Sequence, residues 1–198
     1  MKGPWKVFKD KLNQHIIKPI LESHAPIPEA ALGAAVGMFL GMTPTVGIQM
    51  SLVFGSWLVF KYLLRRKFDL VISTAMVWLS NPVTMGPLYY GFLVTGNWFF
   101  AVVGANEGVM SYQEFTKRLE EITHAQGASS WDMFKEGIGF LILDLGYPMV
   151  IGSLFWAIPL SILAYLFTQR YLTTHRQRKA EHLGLSYDQW RDKYERSA

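Results

Sequence analysis

The 198-residue chain contains no cysteine, and its longest apolar stretches contain almost no charge. Without cysteine, disulfides, thiolate metal sites and a cysteine nucleophile are excluded. Residues 30–60 and 70–106 contain no Asp, Glu, Lys or Arg. A single charge at the centre of a bilayer costs roughly 2.5–3.5 kcal/mol on insertion scales. Such long uncharged stretches therefore predict membrane segments, and we expect no separate soluble catalytic domain beside them.

A third apolar segment, residues 137–169, contains one charge, Asp144, and a proline that can break a helix, Pro148. Together the three segments predict an all-α, polytopic helical membrane protein with broken or re-entrant helices and amphipathic interfacial helices. The expected domains are a basic amphipathic N-terminal helix over residues 1–24, a membrane domain over 25–175 and a C-terminal helix over 176–198.

Lysine and arginine cluster near the N-terminus, within residues 61–67 and after residue 169, whereas residues 104–135 lack a positive bias. The positive-inside rule places all three basic clusters, and hence both termini, in the cytoplasm. On this topology residues 30–60 enter the membrane and return. The alternative is a full crossing, which would translocate the four cations of 61–67. The net charge of +4 is explained by these membrane borders, so no nucleic acid partner is expected.

Both uncharged stretches are interrupted by polar residues, at 43–47 and at 80–87. As one straight helix, residues 30–60 would measure about 46 Å, too long for a single crossing of a hydrocarbon core about 30 Å thick. Irregular backbone at that depth persists only where protein or a watery cavity shelters it. The breaks therefore predict a substrate-binding site, although two purely structural kinks remain an alternative. Its predicted lining residues are Thr43, Pro44, Thr45, Gly47, Gln49, Ser80, Asn81, Pro82 and Thr84.

Small residues recur every four positions on either side of the first break. Positions four apart share one helix face, and small residues there let helix backbones approach closely in lipid. We expect the two legs to fold against each other as a hairpin. The alternative is one kinked helix whose small face forms a homodimer. The predicted packing residues are Gly33, Gly37, Gly41, Ser51 and Gly55.

The same residues carry a family resemblance. The pattern Ala31-Leu32-Gly33-x-x-Val36-Gly37-x-Phe39-x-Gly41-x-Thr43-Pro44-x-x-Gly47-x-Gln49 resembles the bacterial family called domain of unknown function 2062, as does Trp78-x-Ser80-Asn81-Pro82-x-Thr84-x-x-Pro87-Leu88-Tyr89-Tyr90. The resemblance covers roughly residues 20–175. It implies a small protein of the bacterial inner membrane. Some members carry this unit beside glycosyltransferase-like domains, which implies envelope glycolipid or polysaccharide chemistry.

Candidate chemistry outside the breaks is sparse. Asp144 is an ionisable candidate, as a proton relay within the membrane or as a structural residue at the interface. The five histidines are scattered without metal-ligand spacing, and no nucleophile elbow or phosphate-binding loop is present. We therefore expect no metal, no cofactor and no enzymatic activity.

Two segments outside the apolar stretches open with capping boxes, at Ser111 and at Ser186. The first predicts an extramembrane helix over about 111–124, on the outer surface or as a lid. The second predicts a C-terminal helix whose aromatic face contacts membrane, a second chain or a cytoplasmic or membrane enzyme. The leading hypothesis is transport of an envelope lipid or small solute, with membrane lipid as partner. The alternative is a scaffold that anchors or regulates a lipid- or glycan-modifying enzyme.

Overall fold

A computed structural model of the chain describes residues 17–45, 47–80, 82–104 and 146–195, together with Gln113 and Lys117. All regular secondary structure in this part of the chain is helical. Its helices are α1 (Lys18–Glu22), α2 (Ile27–Gly41), α3 (Gln49–Tyr62), α4 (Leu70–Val77), α5 (Pro82–Val102), α6 (Gly146–His182) and α7 (Tyr187–Tyr194). The predictions for Asp144, for Asn81, for residues 1–16 and for most of 111–124 fall outside the described residues.

The chain divides into two compact units. The first unit contains the described residues up to Met38, Val53–Trp78 and the described residues from Leu160. The second contains Phe39–Leu52 and the described part of Leu79–Pro159. Three of the four unit boundaries therefore fall inside helices, in α2, α3 and α6, and the fourth lies between α4 and α5. Both predicted helix breaks belong to the second unit.

In the first unit, α2 and α4 approach each other closely because α2 presents two glycines. A Cβ at Gly33 would overlap the backbone carbonyl of Asp69, and a Cβ at Gly37 would overlap that of Ser73. The core around this contact contains Ile20, Ile27, Ala30, Ala34, Ile72, Met76, Ala164 and Leu172. Small residues thus replace side-chain bulk with backbone contact, the packing typical of helices in lipid.

This close contact differs from the predicted hairpin of α2 against α3. Gly33 and Gly37 pack against α4, while nothing lies within 4 Å of a Cβ placed on Gly55, and Ser51 is exposed. Gly41 is buried at the end of α2. The four-residue spacing marked the close-packing face of α2, but spacing alone carries no information about which helix covers that face.

The second unit contains a matching glycine contact between α5 and the start of α6. A Cβ at Gly96 would overlap the carbonyl of Pro148, and one at Gly152 would overlap the carbonyl of Phe92. A hydrogen bond of 3.0 Å from Trp156 Nε1 to Thr95 Oγ1 joins the same two helices. Pro148 lies in the first turn of α6, where a missing N–H costs nothing because those amides have no helical acceptor.

Two predicted boundaries differ from the structure. The second break is shorter than residues 80–87, because α5 begins at Pro82 and continues through Pro87. An internal proline removes only one helical hydrogen bond, and membrane helices tolerate this when neighbouring groups compensate. The third segment also continues as helix well beyond residue 169, to His182. The domain boundary expected at 175 therefore falls inside α6.

Within the described residues, one helix is long and apolar enough to cross a membrane, Pro148–His182, by length and composition. Only 22% of the most apolar 18-residue stretch of this helix is buried. Large apolar side chains are exposed along it, including Phe155, Ile158, Leu163 and Phe167. An exposed apolar surface of this extent indicates association with lipid or with another apolar surface.

Candidate functional site

The first break is a compact turn whose free backbone groups are satisfied locally. After α2 ends, the amides of Met42 and Thr43 donate to Phe39 and Leu40 at 3.2 Å each. Thr43 Oγ1 also donates to the Leu40 carbonyl, at 2.7 Å. Gly47 has φ +81°, a left-handed conformation that residues with a side chain rarely adopt. Gly47 therefore provides the backbone conformation that this turn requires.

Thr43 and Thr45 point their hydroxyls toward each other across this turn, at 3.2 Å. Pro44 between them is buried, and it has no N–H that would need an acceptor. The turn therefore holds two hydroxyls and one backbone carbonyl, that of Thr43, on a short segment of chain. These are the polar groups that the first break contributes to the candidate site.

The second break lies between α4 and α5. Ser80 is buried, and Thr84 Oγ1 donates to the Leu79 carbonyl at 2.6 Å. Pro82 is the first residue of α5, the position at which proline is favoured in helices. Thr84 thus satisfies a backbone carbonyl at the break. The Ser80 hydroxyl donates to Gln49, which follows the first break.

Gln49, the first residue of α3, joins the two breaks. Its Oε1 accepts a hydrogen bond of 3.1 Å from Ser80 Oγ, and its Nε2 donates to the Thr43 carbonyl at 3.4 Å. Gln49 and Ser80 are each only 7% exposed. A buried amide is stable only when its polar atoms find partners, so this pairing fixes the two breaks together. We call Thr43, Thr45, Gln49, Ser80 and Thr84 the polar junction.

The polar junction contains hydroxyl, amide and carbonyl groups but no ionisable side chain. Such groups bind and orient polar ligands by hydrogen bonds, whereas general acid–base catalysis requires a group that titrates near the operating pH. Among the described residues, no cluster of three or more His, Asp or Glu side chains could hold a metal ion. The side chains of the junction can therefore donate and accept hydrogen bonds.

A second polar centre, in the first unit, was not predicted from the sequence. Arg176 is 2% exposed, and its guanidinium donates to the carbonyls of Ser23 and Ala25 at 2.9 Å each. It also forms a short ion pair with Glu195 and lies 5.7 Å from the centre of the Trp190 ring. Arg176 appeared in the sequence only as one cation of a basic border. A cation following an apolar helix carries no signal that distinguishes burial from exposure.

Nearby, Asp69 links the segment before α2 to the start of α4. Its Oδ1 accepts from the amides of Val71 and Ile72, and its Oδ2 accepts from Ser23 Oγ at 2.6 Å. Its own amide donates to the Glu29 carbonyl at 3.0 Å. An Asp directly before an apolar run is a helix N-cap signal, and that signal could have identified this residue.

The C-terminal helix α7 opens with the predicted capping box, in which Ser186 and Gln189 exchange hydrogen bonds of 3.0 and 3.3 Å. Trp190 is buried, and Tyr187 packs at the edge of the core of the first unit. The aromatic face that motivated the scaffold hypothesis is therefore largely covered by the chain itself. Only Tyr194 of this face is exposed, at 36%.

These observations define an all-helical protein, in the part described, with one helix suited to crossing a membrane and a buried polar junction between two helix breaks. The chain belongs to the bacterial family described as "Uncharacterized protein conserved in bacteria (DUF2062)", whose sequence pattern matches residues 11–181. No curated protein and no solved structure matches the chain. The resemblance noted in the motifs around Pro44 and Pro82 is thus confirmed at the level of the family.

Proposed function

We propose that this protein spans the bacterial inner membrane and that the polar junction assists the passage of an envelope lipid or a small polar solute. The observation that carries the proposal is the Ser80–Gln49–Thr43 chain of hydrogen bonds, which brings two helix breaks together in a buried position. On this proposal membrane lipid is the main partner, and the protein acts as a carrier rather than as an enzyme. The termini lie in the cytoplasm, as the basic borders indicate.

The helix lengths support a membrane location with re-entrant elements. Helix α5 has 21 residues, none of them charged, and measures about 31 Å, the thickness of the hydrocarbon core. Helices α2 and α3, with 15 and 14 residues, measure only about 21–23 Å each. Each is too short to cross alone. Two short apolar helices joined by a polar turn suit a segment that enters the membrane and returns.

The polar junction is suited to exchange its internal hydrogen bonds for those of a ligand. The bond from Gln49 Nε2 to Thr43 is 3.4 Å long, beyond the usual 2.7–3.2 Å range, and is therefore weak. The same nitrogen carries a second N–H donor. A phosphate or hydroxyl oxygen would accept these donors more strongly than the distant carbonyl. Such a group would therefore compete for Gln49 while the surrounding helices exclude bulk water.

The proposal is tested by measuring lipid passage in vesicles that contain the purified protein. We expect faster transbilayer movement of fluorescent phospholipid or polyprenyl-phosphate analogues with wild type than with empty vesicles. Gln49→Leu should abolish most of the difference because it removes both the amide donors and the acceptor for Ser80. Ser80→Ala should weaken it less, since one hydrogen bond of roughly 0.5–1.5 kcal/mol is lost.

The matched controls are Ser51→Ala and Gln177→Leu, which make the same changes at exposed positions outside the junction. Both should behave like wild type. Equal transbilayer rates for wild type, Gln49→Leu and empty vesicles would refute the transport proposal. Membrane topology is tested separately, because the cysteine-free chain accepts single cysteines without a background to remove. A membrane-impermeant maleimide should label Gln177→Cys only from the cytoplasmic side.

A further inference from the structure

The last residues of α3 and the loop that follows them expose both apolar and basic side chains. Tyr62, Leu63 and Leu64 are 70%, 76% and 52% exposed. They are followed directly by three exposed cations, Arg65, Arg66 and Lys67, and preceded by a fourth, Lys61. We call Lys61–Lys67 the basic loop. Its base is fixed, because Phe60 and the buried Phe68 meet edge to face at 5.3 Å.

Within the part of the chain that the structure describes, the cations of the basic loop form no ion pair. Among the described residues, the ion pairs involve Lys18, Arg176 and Arg191. Lys61 Nζ instead lies over the rings of Trp57 and Tyr62, at 4.5 and 5.4 Å from their centres. The nearest acid along the chain, Asp69, is occupied by Ser23 and by the first amides of α4. The loop therefore presents net positive charge around an apolar tip.

Arg65 occupies a backbone conformation that disfavours it. Its φ is +52°, in the left-handed region, and the amide of Arg66 donates to the Phe60 carbonyl at 2.9 Å. This is the helix-ending turn in which glycine is the usual residue. A residue with a side chain is destabilised in this conformation, and such strain persists mainly at functional sites. Between described residues, the Arg65 guanidinium forms no ion pair that would explain its retention there.

We propose that the basic loop is a binding surface for anionic phospholipid headgroups of the cytoplasmic leaflet. Leu63 and Leu64 enter the boundary between headgroups and acyl chains, while the four cations bind headgroup phosphates around them. This arrangement matches interfacial segments, in which apolar area and basic charge act together. The inference rests on the membrane location in the proposed function but not on passage of a substrate.

A bilayer fits this surface better than an acidic protein does. The exposed apolar tip directly follows α3, which is itself apolar and exposes Phe54 and Val59. Cations placed where an apolar helix ends are positioned at headgroup level when that helix lies in the membrane. An acidic protein would pair with the cations, but its acidic surface would offer no apolar contact for the two exposed leucines.

In the experiment, the full chain with the substitution Leu64→Cys is reconstituted into vesicles. Its single cysteine is then labelled with a bimane fluorophore. Vesicles contain phosphatidylcholine and phosphatidylglycerol, with bromine on the acyl chains of one lipid or the other. We expect brominated phosphatidylglycerol to quench the fluorescence more strongly than brominated phosphatidylcholine does. Adding Arg66→Gln and Lys67→Gln should reduce that preference by up to about fivefold for each cation removed. High salt should weaken it because the headgroup contacts are exposed.

The control Arg178→Gln/Lys193→Gln removes two exposed cations elsewhere and should leave the preference unchanged. Arg65→Gly separates lipid binding from folding: it should weaken the preference while the thermal midpoint stays level or rises. Equal quenching by both brominated lipids, or an Arg65→Gly variant that loses stability, would overturn the proposal. Failure of transport with the lipid preference intact would refute only the proposed function, and extraction of the chain by alkaline carbonate would refute the membrane location itself.

Discussion

The contact between α2 and α4 can be tested with two glycines that look alike in the sequence. Gly37 lies at the crossing, where a Cβ would overlap the Ser73 carbonyl and lie 2.8 Å from Met76 Cβ. Gly55 lies in α3 with nothing within 4 Å of a Cβ. Both glycines are helical, so replacing either by alanine gains the same intrinsic helix preference, about 1 kcal/mol. Any difference between the two variants therefore reports packing.

The two substitutions should change the stability of the fold in opposite directions. Gly55→Ala should stabilise the fold by about 1 kcal/mol. Gly37→Ala should incur an overpacking cost of about 1–3 kcal/mol or more, because the blocking atom is backbone and cannot rotate away. Because both variants gain the same helix preference, their stabilities should differ by the overpacking cost alone, about 1–3 kcal/mol or more. For a chain of this size that difference corresponds to roughly 2–12 °C in the thermal midpoint.

The assay is thermal unfolding of the full chain in detergent micelles, followed by circular dichroism, with wild type and both variants in the same detergent. Gly33→Ala should resemble Gly37→Ala, because its Cβ would overlap the carbonyl of Asp69. Equal midpoints for Gly37→Ala and Gly55→Ala would refute the close crossing. A loss confined to Gly55→Ala would instead favour the hairpin of α2 against α3.

The remaining predictions concern the polar contacts of the first unit. Arg176→Met should cost about 3–5 kcal/mol because the largely buried Glu195 carboxylate loses its cation, whereas Arg178→Met, at an exposed position, should change stability by less than about 0.5 kcal/mol. Similar melting of both variants would contradict the ion pair. Asp69→Ala should cost about 1 kcal/mol and speed hydrogen exchange in the first turn of α4, and unchanged exchange there would argue against the cap. Burial, and then the nearby carboxylate of Glu195, raises the pKa of Tyr187 in the folded protein. The contribution of Tyr187 to stability is therefore complete below the ordinary tyrosine pKa near 10, and it is lost as the pH rises through the folded-state pKa. Wild type should therefore lose stability on alkaline titration more steeply than Tyr187→Phe, and parallel titration curves would disprove this.

Much of the local structure followed from short-range chemistry. Proline and glycine at positions 44 and 47 require a turn whatever surrounds them, and Ser186 with Gln189 forms a capping box from four consecutive residues. Gln49 lies just after that turn, and the sequence predicted it as a lining residue of a substrate-binding site. The structure shows that it caps the Thr43 carbonyl and binds Ser80.

The parts that could not be predicted depend on contacts between distant residues. The partner of Gly37 is 36 residues away, and no periodicity within α2 distinguishes α3 from α4 as its neighbour. The burial of Arg176 depends on carbonyls more than 150 residues earlier in the chain. Pro87 was expected to lie within the second break, but α5 continues through it, because a helix tolerates one lost hydrogen bond when neighbouring groups compensate.

The guanidinium of Arg176 and its acceptor at Ser23 are 153 residues apart in the chain. A ribosome adding about 5–20 residues per second would deliver the arginine roughly 8–30 s after the serine. During that interval the carbonyls of Ser23 and Ala25 must be hydrogen-bonded by water, by lipid or by the insertion machinery. The first unit therefore completes its contacts after the second unit has been synthesised. Removing the C-terminal residues that include Glu195 should disturb the segment around Ser23 and Ala25, which is synthesised first.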